Sequence, residues 1–240
     1  KIFYSSDIKL EINRELKTIN AISSKRMSPL IFIGGTLENW NIKYDLKNIS
    51  NKDNVEIPSI SKYGLTGCVS FHDIKTKNIK VNVKNSYCED GIHFLRATGT
   101  IDKIFVNDAL SDGIDIDFSS LEIKEIRINR SGNDCIDLSN GVYLIENAEL
   151  NGCGDKGVSL GENGDAKILN ILVNNSIIGL ASKDSSNMTV DYAEVNVSDY
   201  CTALYRKKQE YNGAEIFIKD INCDLDKHFI QDGSKLSISN

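Results

Sequence analysis

The feature that most constrains the fold is a repeat in which similar residues return about every 22 positions. A small residue followed by an apolar one recurs at steps of 22, 22, 22, 22 and 24, and Cys68-Val69 extends the series backward by 23. The repeated pairs are Gly91-Ile92, Gly113-Ile114, Cys135-Ile136, Gly157-Val158, Gly179-Leu180 and Ala203-Leu204. Helical-pair repeats need periods near 33 or 34, so this period excludes them and predicts a solenoid of stacked short strands.

Two further columns keep the same phase. One is aliphatic throughout: Ile79, Ile101, Ile123, Ile145, Ile168, Val190 and Ile216. The other, Val106, Ile128, Leu150, Val173, Val195 and Ile221, is followed each time by asparagine: Asn107, Asn129, Asn151, Asn174, Asn196 and Asn222, with Asn85 one coil earlier. Because parallel coils stack about 4.8 Å apart, aliphatic columns should fill the interior. We expect the asparagines to form a buried ladder of amide hydrogen bonds in one turn.

A coil of about 22 residues with an asparagine ladder resembles the pectate-lyase-like right-handed parallel β-helices. The resemblance covers Cys68 to about Ile230 and implies an all-β fold, a single-stranded right-handed parallel β-helix. We expect two regions, with irregular N-terminal coils or a cap over residues 1–60, where the period is lost, and the β-helix over residues 61–240. A cap fits the need to cover an open solenoid end.

Residues next to the inward column should face outward, because side chains alternate along a strand. Two outward columns result: His93, Asp115, Asp137, Ser159, Ala181 and Tyr205, and Asp90, Asp112, Asp134, Lys156, Ile178 and Thr202. Carboxylates stacked one coil apart repel by about 1 kcal/mol in water and roughly 3 to 4 kcal/mol at an effective dielectric near 20. Such a row favours a bound cation or raised pKa values. We therefore predict either no cofactor or calcium held by Asp112, Asp134 and Asp115; alternatively, these are turn aspartates that bond the local backbone.

Motifs on successive coils resemble, in part, those of polygalacturonase-type glycoside hydrolases. They are Leu110-Ser111-Asp112-Gly113, Asn133-Asp134-Cys135, Asp155-Lys156-Gly157 and Ala181-Ser182-Lys183. Asp112, Asp134 and Lys183 match the family pattern, and the family's remaining aspartate, histidine and arginine are replaced here by Asn133, Lys156 and Ala181. The resemblance implies that Asp112 and Asp134 act as the acid and base of hydrolysis. A lyase would instead use Lys156 as the base, so the predicted catalytic residues are Asp112, Asp134, Asp137 and Lys156.

The predicted substrate-binding residues lie on the outward face or at its rim: His93, Asp115, Lys183, Tyr205 and Arg206. The stretch from Tyr205 to Tyr211 adds residues to its coil, so we expect a loop there that contributes to specificity. Two functions stay open. One is a carbohydrate-interacting domain that binds a polysaccharide on the acidic strand face; the other is a polysaccharide-degrading glycoside hydrolase or lyase that uses Asp112 and Asp134. The same architecture also spaces the domains of larger chains.

Composition limits the partners. The net charge of −6 and the pI near 5.2 predict no nucleic-acid binding. No run approaches the roughly 18 apolar residues of a membrane span, so a polysaccharide or glycan, or other domains of a larger chain, are the expected partners. The six cysteines are irregularly spaced, and we predict mostly buried free thiols rather than bridges. The resemblance and the residue usage suggest a secreted or cell-surface protein of bacterial or viral origin.

Overall fold

A computed structural model describes residues 1–47, 64–223 and 227–239, without the side chain of Ser198. Over these residues the chain is all-β, and all but its first strands stack as parallel coils in a right-handed β-helix, which confirms the predicted fold. The same residues contain no helix long and apolar enough to cross a membrane. The strands are β1 (Ile2–Tyr4), β2 (Ile8–Asn13), β3 (Thr18–Ser23), β4 (Leu30–Ile33), β5 (Thr36–Glu38), β6 (Asn41–Leu46), β7 (Gly67–His72), β8 (Lys75–Ser86), β9 (Asp90–Leu95), β10 (Thr98–Ala109), β11 (Asp112–Asp117), β12 (Ser120–Ser131), β13 (Ile136–Ser139), β14 (Val142–Cys153), β15 (Lys156–Gly161), β16 (Asp165–Lys183), β17 (Asn187–Tyr205), β18 (Glu215–Cys223), β19 (His228–Ile230) and β20 (Lys235–Ile238).

The core consists of aliphatic columns that run along the solenoid. The parallel register of β10, β12, β14, β16 and β17 places Ile101, Ile123, Ile145, Ile168 and Val190 next to one another, and each is fully buried. A buried side chain of this size stabilises the fold by about 1.5–3 kcal/mol relative to an exposed one. The register that the repeat predicts is therefore confirmed over these coils.

The predicted register is wrong at the last coil. The repeat places Ile216 beside Val190, but β18 pairs Ile216 with Met188 and Ile218 with Val190. Residues two positions apart in a strand face the same side, and Ile216 and Ile218 are both buried. A slip of two residues therefore leaves the apolar pattern unchanged, and only the observed pairing resolves it.

The asparagine ladder exists, but it lies on the outside of the solenoid rather than inside a turn. The Asn129 side-chain amide donates to Asn107 Oδ1 at 3.0 Å, Asn151 donates to Asn129 at 3.4 Å, and Asn196 donates to Asn174 at 2.7 Å. Asn129, Asn151 and Asn196 are exposed. The prediction of a buried ladder is wrong, because amides stacked one coil apart bond each other equally well on the outer surface.

The two ends of the asparagine series do not join the ladder. Asn222 lies beside Glu194, because β18 is shifted relative to the repeat. Asn85 donates to Asp45 Oδ1 at 3.3 Å and has a left-handed backbone conformation with φ of 54°. The ladder therefore covers the regular middle of the solenoid only.

The six cysteines form three disulfides, so the prediction of free thiols is wrong. The bridges are Cys68–Cys88, Cys135–Cys153 and Cys201–Cys223, with Cα–Cα distances of 5.4, 5.2 and 6.1 Å. Each bridge spans about one coil, with sequence separations of 20, 18 and 22. Closing a loop of this length lowers the conformational entropy of the unfolded chain, which stabilises the folded state by about 3 kcal/mol. Three disulfides are compatible with an extracellular protein.

The N-terminal residues combine a hairpin with the first stacked strands. β2 and β3 pair antiparallel, and β1 pairs antiparallel with β4. β4, β5 and β6 already stack in parallel on β7 and β8. The predicted boundary between residues 60 and 61 lies outside the described residues.

Candidate functional site

The short strands β7, β9, β11, β13 and β15 and the ends of β16 and β17 lie side by side in parallel. Their outward side chains form three rows across the coils, which together we call the acidic strand face. Row one contains Asp90, Asp112, Asp134, Lys156, Ile178 and Tyr200; row two contains Ser70, His93, Asp115, Asp137, Ser159, Ala181 and Ala203; row three contains His72, Leu95, Asp117, Ser139, Gly161, Lys183 and Tyr205. Charge changes along the solenoid, from carboxylates on the earlier coils to lysines on the later ones.

Two predicted positions on this face are wrong, because the register of β17 on β16 differs by two residues from the one that the repeat predicts. Tyr205 lies in row three beside Lys183, not in row two as the repeat predicts. Thr202 pairs with Leu180 and is not part of row one. The coil length stays regular up to Tyr205, and the extra residues fall in the loop at residues 206–214, between β17 and β18.

In row one, Asp112 and Asp134 each accept hydrogen bonds from residues of the next coil. Asp112 Oδ1 accepts from the Asp134 backbone N–H at 2.8 Å and from Asn133 Nδ2 at 2.7 Å. Asp134 Oδ1 accepts from the Lys156 backbone N–H at 3.1 Å and from Lys156 Nζ at 3.3 Å. Asn133, which replaces the aspartate of the hydrolase pattern, thus supports Asp112 as a donor.

Burial and like charge together raise the pKa values in this row. Burial, then the charges of Asp134 and Asp90, raise the pKa of Asp112 to about 7, although the bonds from Asn133 and the backbone oppose the rise. Burial also raises the pKa of Asp134, against the attraction of Lys156. Asp90 is 2% exposed, and its pKa rises to about 6 mainly through burial. The row therefore contains carboxyl groups that exchange protons near neutral pH.

The two lysines of the face are held by carboxylates. Lys156 Nζ bonds both Asp134 and Asp155, and although burial opposes its charge, these two partners hold its pKa above the ordinary value. Lys183 Nζ lies 3.7 Å from Asp137 Oδ1, and its side chain is 9% exposed. A lysine stabilised as a cation is a poor proton acceptor at neutral pH, so this geometry favours an electrostatic role for Lys156 over a role as base.

The loop after Tyr205 is anchored by a residue that the sequence did not suggest. Buried Asp184 accepts hydrogen bonds through Oδ1 from the backbone N–H groups of Lys207 and Lys208, each at 2.7 Å. The Arg206 backbone donates to Gln231 Oε1 at 2.6 Å, and its side chain is exposed. Asp184 thus fixes the start of the loop, and substrate binding by the exposed Arg206 stays a prediction.

His93 lies at the centre of a second group on the face. Its Nε2 is 3.3 Å from Asp117 Oδ2 and 3.9 Å from Asp115 Oδ2, and its Nδ1 is 3.0 Å from the Thr66 hydroxyl. Burial, then the charges of Asp90 and Asp117, raise the pKa of Asp115 well above its ordinary value. Asp117 and Asp90 were not among the predicted site residues, because their closeness to His93 depends on side-chain orientation across coils.

Among the described residues, His93, Asp115 and Asp117 form a group of potential metal ligands whose donor atoms all lie within 4.8 Å of one another. Of the predicted calcium ligands, Asp115 belongs to this group. Asp112 and Asp134 instead bond backbone N–H groups of neighbouring coils. Calcium binding by the predicted set stays a prediction.

No protein-family model, curated protein or solved structure matches this chain. The structure itself shows a parallel β-solenoid of about nine turns with coils of about 22 residues. This fold is compatible with β-helix proteins that interact with carbohydrate. The acidic strand face, with its buried charges, is the candidate functional site.

Proposed function

We propose that the acidic strand face binds an extended polysaccharide. The observation that carries this proposal is the arrangement of polar side chains in three parallel rows over consecutive coils, spaced by about 4.8 Å per coil. A linear polymer laid along such rows meets partly exposed hydrogen-bonding groups on several coils, such as Asp115, Asp137 and Lys156. The partial resemblance to pectate-lyase-like β-helices supports the same substrate class.

The charges of the face favour a neutral polysaccharide. Asp115, Asp117 and Asp137 are partly exposed, and their carboxyl oxygens can accept bonds from sugar hydroxyls. The lysines are already paired with Asp134 and Asp137, so they leave little positive charge to attract an acidic polymer. Half-buried Tyr205 adds an aromatic side chain at the lysine end of the face, suited to contact a sugar ring.

Binding is tested by calorimetry with soluble neutral and acidic polysaccharides. We expect a neutral polymer to bind wild type, and Asp137→Asn and Tyr205→Ala each to weaken binding at least tenfold. Glu149→Gln, on an exposed side chain of β14, is the matched control and should bind like wild type. Failure of every polysaccharide to bind the folded protein, or equal binding by Tyr205→Ala and wild type, would exclude this proposal.

A second candidate function is acid–base cleavage of a polysaccharide at Asp112 and Asp134, as a hydrolase of a neutral polymer or, where the polymer contains uronate units, as a lyase. The specific observation is that the pKa of Asp112 is raised to about 7, whereas Asp134 is paired with the Lys156 ammonium. Two carboxyl groups held in different environments provide an acid and a base at one pH.

Turnover distinguishes the two candidates. Reducing-sugar release reports hydrolysis, and ultraviolet absorbance of an unsaturated uronate product reports elimination. The catalytic candidate predicts that Asp112→Asn binds polysaccharide as wild type does but loses at least a hundredfold in rate. Binding without turnover in wild type would leave the binding function and remove the catalytic one.

A further inference from the structure

His93 has a geometry that suits a metal ligand better than a simple surface histidine. The side chain is 5% exposed, and both ring nitrogens face polar groups. The Thr66 hydroxyl contacts Nδ1 and also interacts with the Asp90 carboxylate. A hydroxyl has one proton, so a Thr66 that donates it to Asp90 accepts a bond from His93 Nδ1–H. The Nε2 lone pair is then directed at Asp117 and Asp115.

A lone pair directed at two carboxyl groups needs a proton or a cation between them, and a metal ion bound by all three side chains supplies that positive charge. Donor atoms that share a metal ion about 2.1 Å away lie roughly 3 to 4 Å from one another. The separations from His93 Nε2 to Asp117 Oδ2 and Asp115 Oδ2, 3.3 and 3.9 Å, fit that spacing. The three side chains come from two neighbouring strands of the sheet, His93 from β9 and both aspartates from β11, and the hydrogen-bonded register of these strands fixes their positions.

Asp90 supplies an independent indication of a missing positive partner. It is 2% exposed, and its Oδ2 atom is buried without a hydrogen-bond partner among the described residues. Asp90 lies two strand positions before Ile92 on the same strand as His93, and its charge acts on His93, Asp115 and Asp117, so it is close to their group. A buried carboxylate needs pairing or a metal ion. Three carboxylates around one imidazole leave an excess of negative charge that a divalent cation offsets.

We propose that His93, Asp115 and Asp117 bind a divalent transition-metal ion of the Zn²⁺ or Mn²⁺ class, with Thr66 and Asp90 as supporting residues. An imidazole ligand with two carboxylates suits such ions, whereas Ca²⁺ takes oxygen ligands. Thr66 orients the ring through Nδ1, as partners of metal-binding histidines commonly do. Three protein ligands leave coordination positions for water or a substrate hydroxyl. This site does not depend on whether the face binds polysaccharide.

The test is metal binding by the full chain, without an affinity tag and without carbohydrate. Calorimetry with ZnCl₂, MnCl₂ and CaCl₂ should show one tight site for Zn²⁺ or Mn²⁺. His93→Gln and Asp117→Asn should each weaken it more than tenfold, and Asp90→Asn should weaken it about tenfold. His228→Gln is the matched control, because His228 Nδ1 also lies 2.9 Å from a threonine hydroxyl, that of Thr202. His228 is not part of the ligand group found among the described residues.

Wild-type nuclear magnetic resonance keeps the test independent of variant folding. The chain has three histidines. Zn²⁺ should shift the Nε2 resonance of His93 and leave that of His228 in place. Unchanged affinity in a folded His93→Gln, tighter binding of Ca²⁺ than of Zn²⁺, or an unmoved His93 resonance would each overturn the proposal.

Discussion

On the long strands β8, β10, β12 and β14, carboxylates form ion pairs with basic residues, mostly of neighbouring coils, whereas on the acidic strand face carboxylates stack on carboxylates. We call the first surface the salt-bridge face. There, Asp102 lies 3.3 Å from Lys80 and 3.5 Å from Lys124, and Glu125 lies 3.0 Å from Lys103. Both faces repeat their side chains at the same coil spacing, so the order of signs and the degree of burial distinguish them.

The pKa values differ in direction between the two faces. Lys103 and Arg127 lower the pKa of Glu125, and Lys80 and Lys124 outweigh burial to lower that of Asp102. On the acidic strand face burial and like charges raise the pKa instead. Alternating exposed pairs contribute little to stability and need no functional explanation. Stacked buried carboxylates cost stability, and such a cost is typical of functional sites.

Concavity alone does not identify the site. A groove with a volume of about 860 Å³ lies on the salt-bridge face and is lined by residues such as Lys103, Glu125 and Arg127. Glu125 forms ion pairs with both Lys103 and Arg127 there. The buried carboxyl groups with raised pKa values lie on the acidic strand face, and we therefore assign the function to that face.

The largest expected effect is the difference in lost free energy of unfolding when one lysine is replaced on each face. Lys156→Met leaves Asp134 and Asp155 without their buried partner and should lower the free energy of unfolding by about 3 kcal/mol. Lys103→Met removes an exposed partner of Glu125 and should cost less than about 1 kcal/mol. Urea unfolding at pH 7 measures both, and equal losses would contradict the distinction between the faces.

The next largest expected effect is a pH dependence of the free energy of unfolding, which has opposite signs on the two faces. Asp112 keeps its proton longer in the folded state, so its contribution favours folding below the ordinary value of 3.8 and is lost as the pH rises through about 7. Asp112→Asn should therefore raise the free energy of unfolding at pH 8 by about 2 kcal/mol and have little effect at pH 4.

Asp102→Asn is the matched substitution on the salt-bridge face. The pKa of Asp102 is lowered in the folded state, so its contribution is present above the ordinary value of 3.8 and is lost as the pH falls through the folded value. This variant should be destabilised at pH 8 by less than about 1 kcal/mol. Denaturant unfolding across this pH range gives the profile of each variant, and a stabilised Asp102→Asn at pH 8 would contradict the assignment.

The smallest expected effect is the coupling free energy between two neighbouring charged residues, which should differ in sign between the two faces. A double-mutant cycle on Asp102 and Lys124 should give a favourable coupling of a few tenths of a kcal/mol that weakens with salt. A cycle on Asp112 and Asp134, using asparagine at both positions, should give an unfavourable coupling of about 1 kcal/mol. Couplings of the same sign would show that the carboxylates of row one do not repel.

Much of the fold is predictable because a solenoid stacks equivalent residues. Ile101, Ile123 and Ile145 recur in sequence because they touch in space. The position of Tyr205 was not predictable, since an insertion placed before or after it preserves the alternation of inward and outward residues. The disulfides were missed because their sequence separations of 18 to 22 vary with where each bridge crosses its coil.

The site was predictable as a row of charges but not as a set of partners. Asp112 and Asp134 follow from the coil period alone. Asp112 accepts a hydrogen bond from a backbone N–H group, and Thr66, Asp117 and Asp90 surround His93. Both arrangements depend on side-chain rotamers that the period does not specify. Burial of individual carboxylates also requires the three-dimensional packing.

The most direct test of the account is a carboxyl-carbon magnetic resonance titration of the wild-type protein, with aspartates assigned from the asparagine variants. The account predicts that Asp112 titrates near pH 7, and that Asp102 titrates below its ordinary value of 3.8. Titration of Asp112 at or below about pH 4 would contradict the claim that burial and like charges raise the pKa values on the acidic strand face.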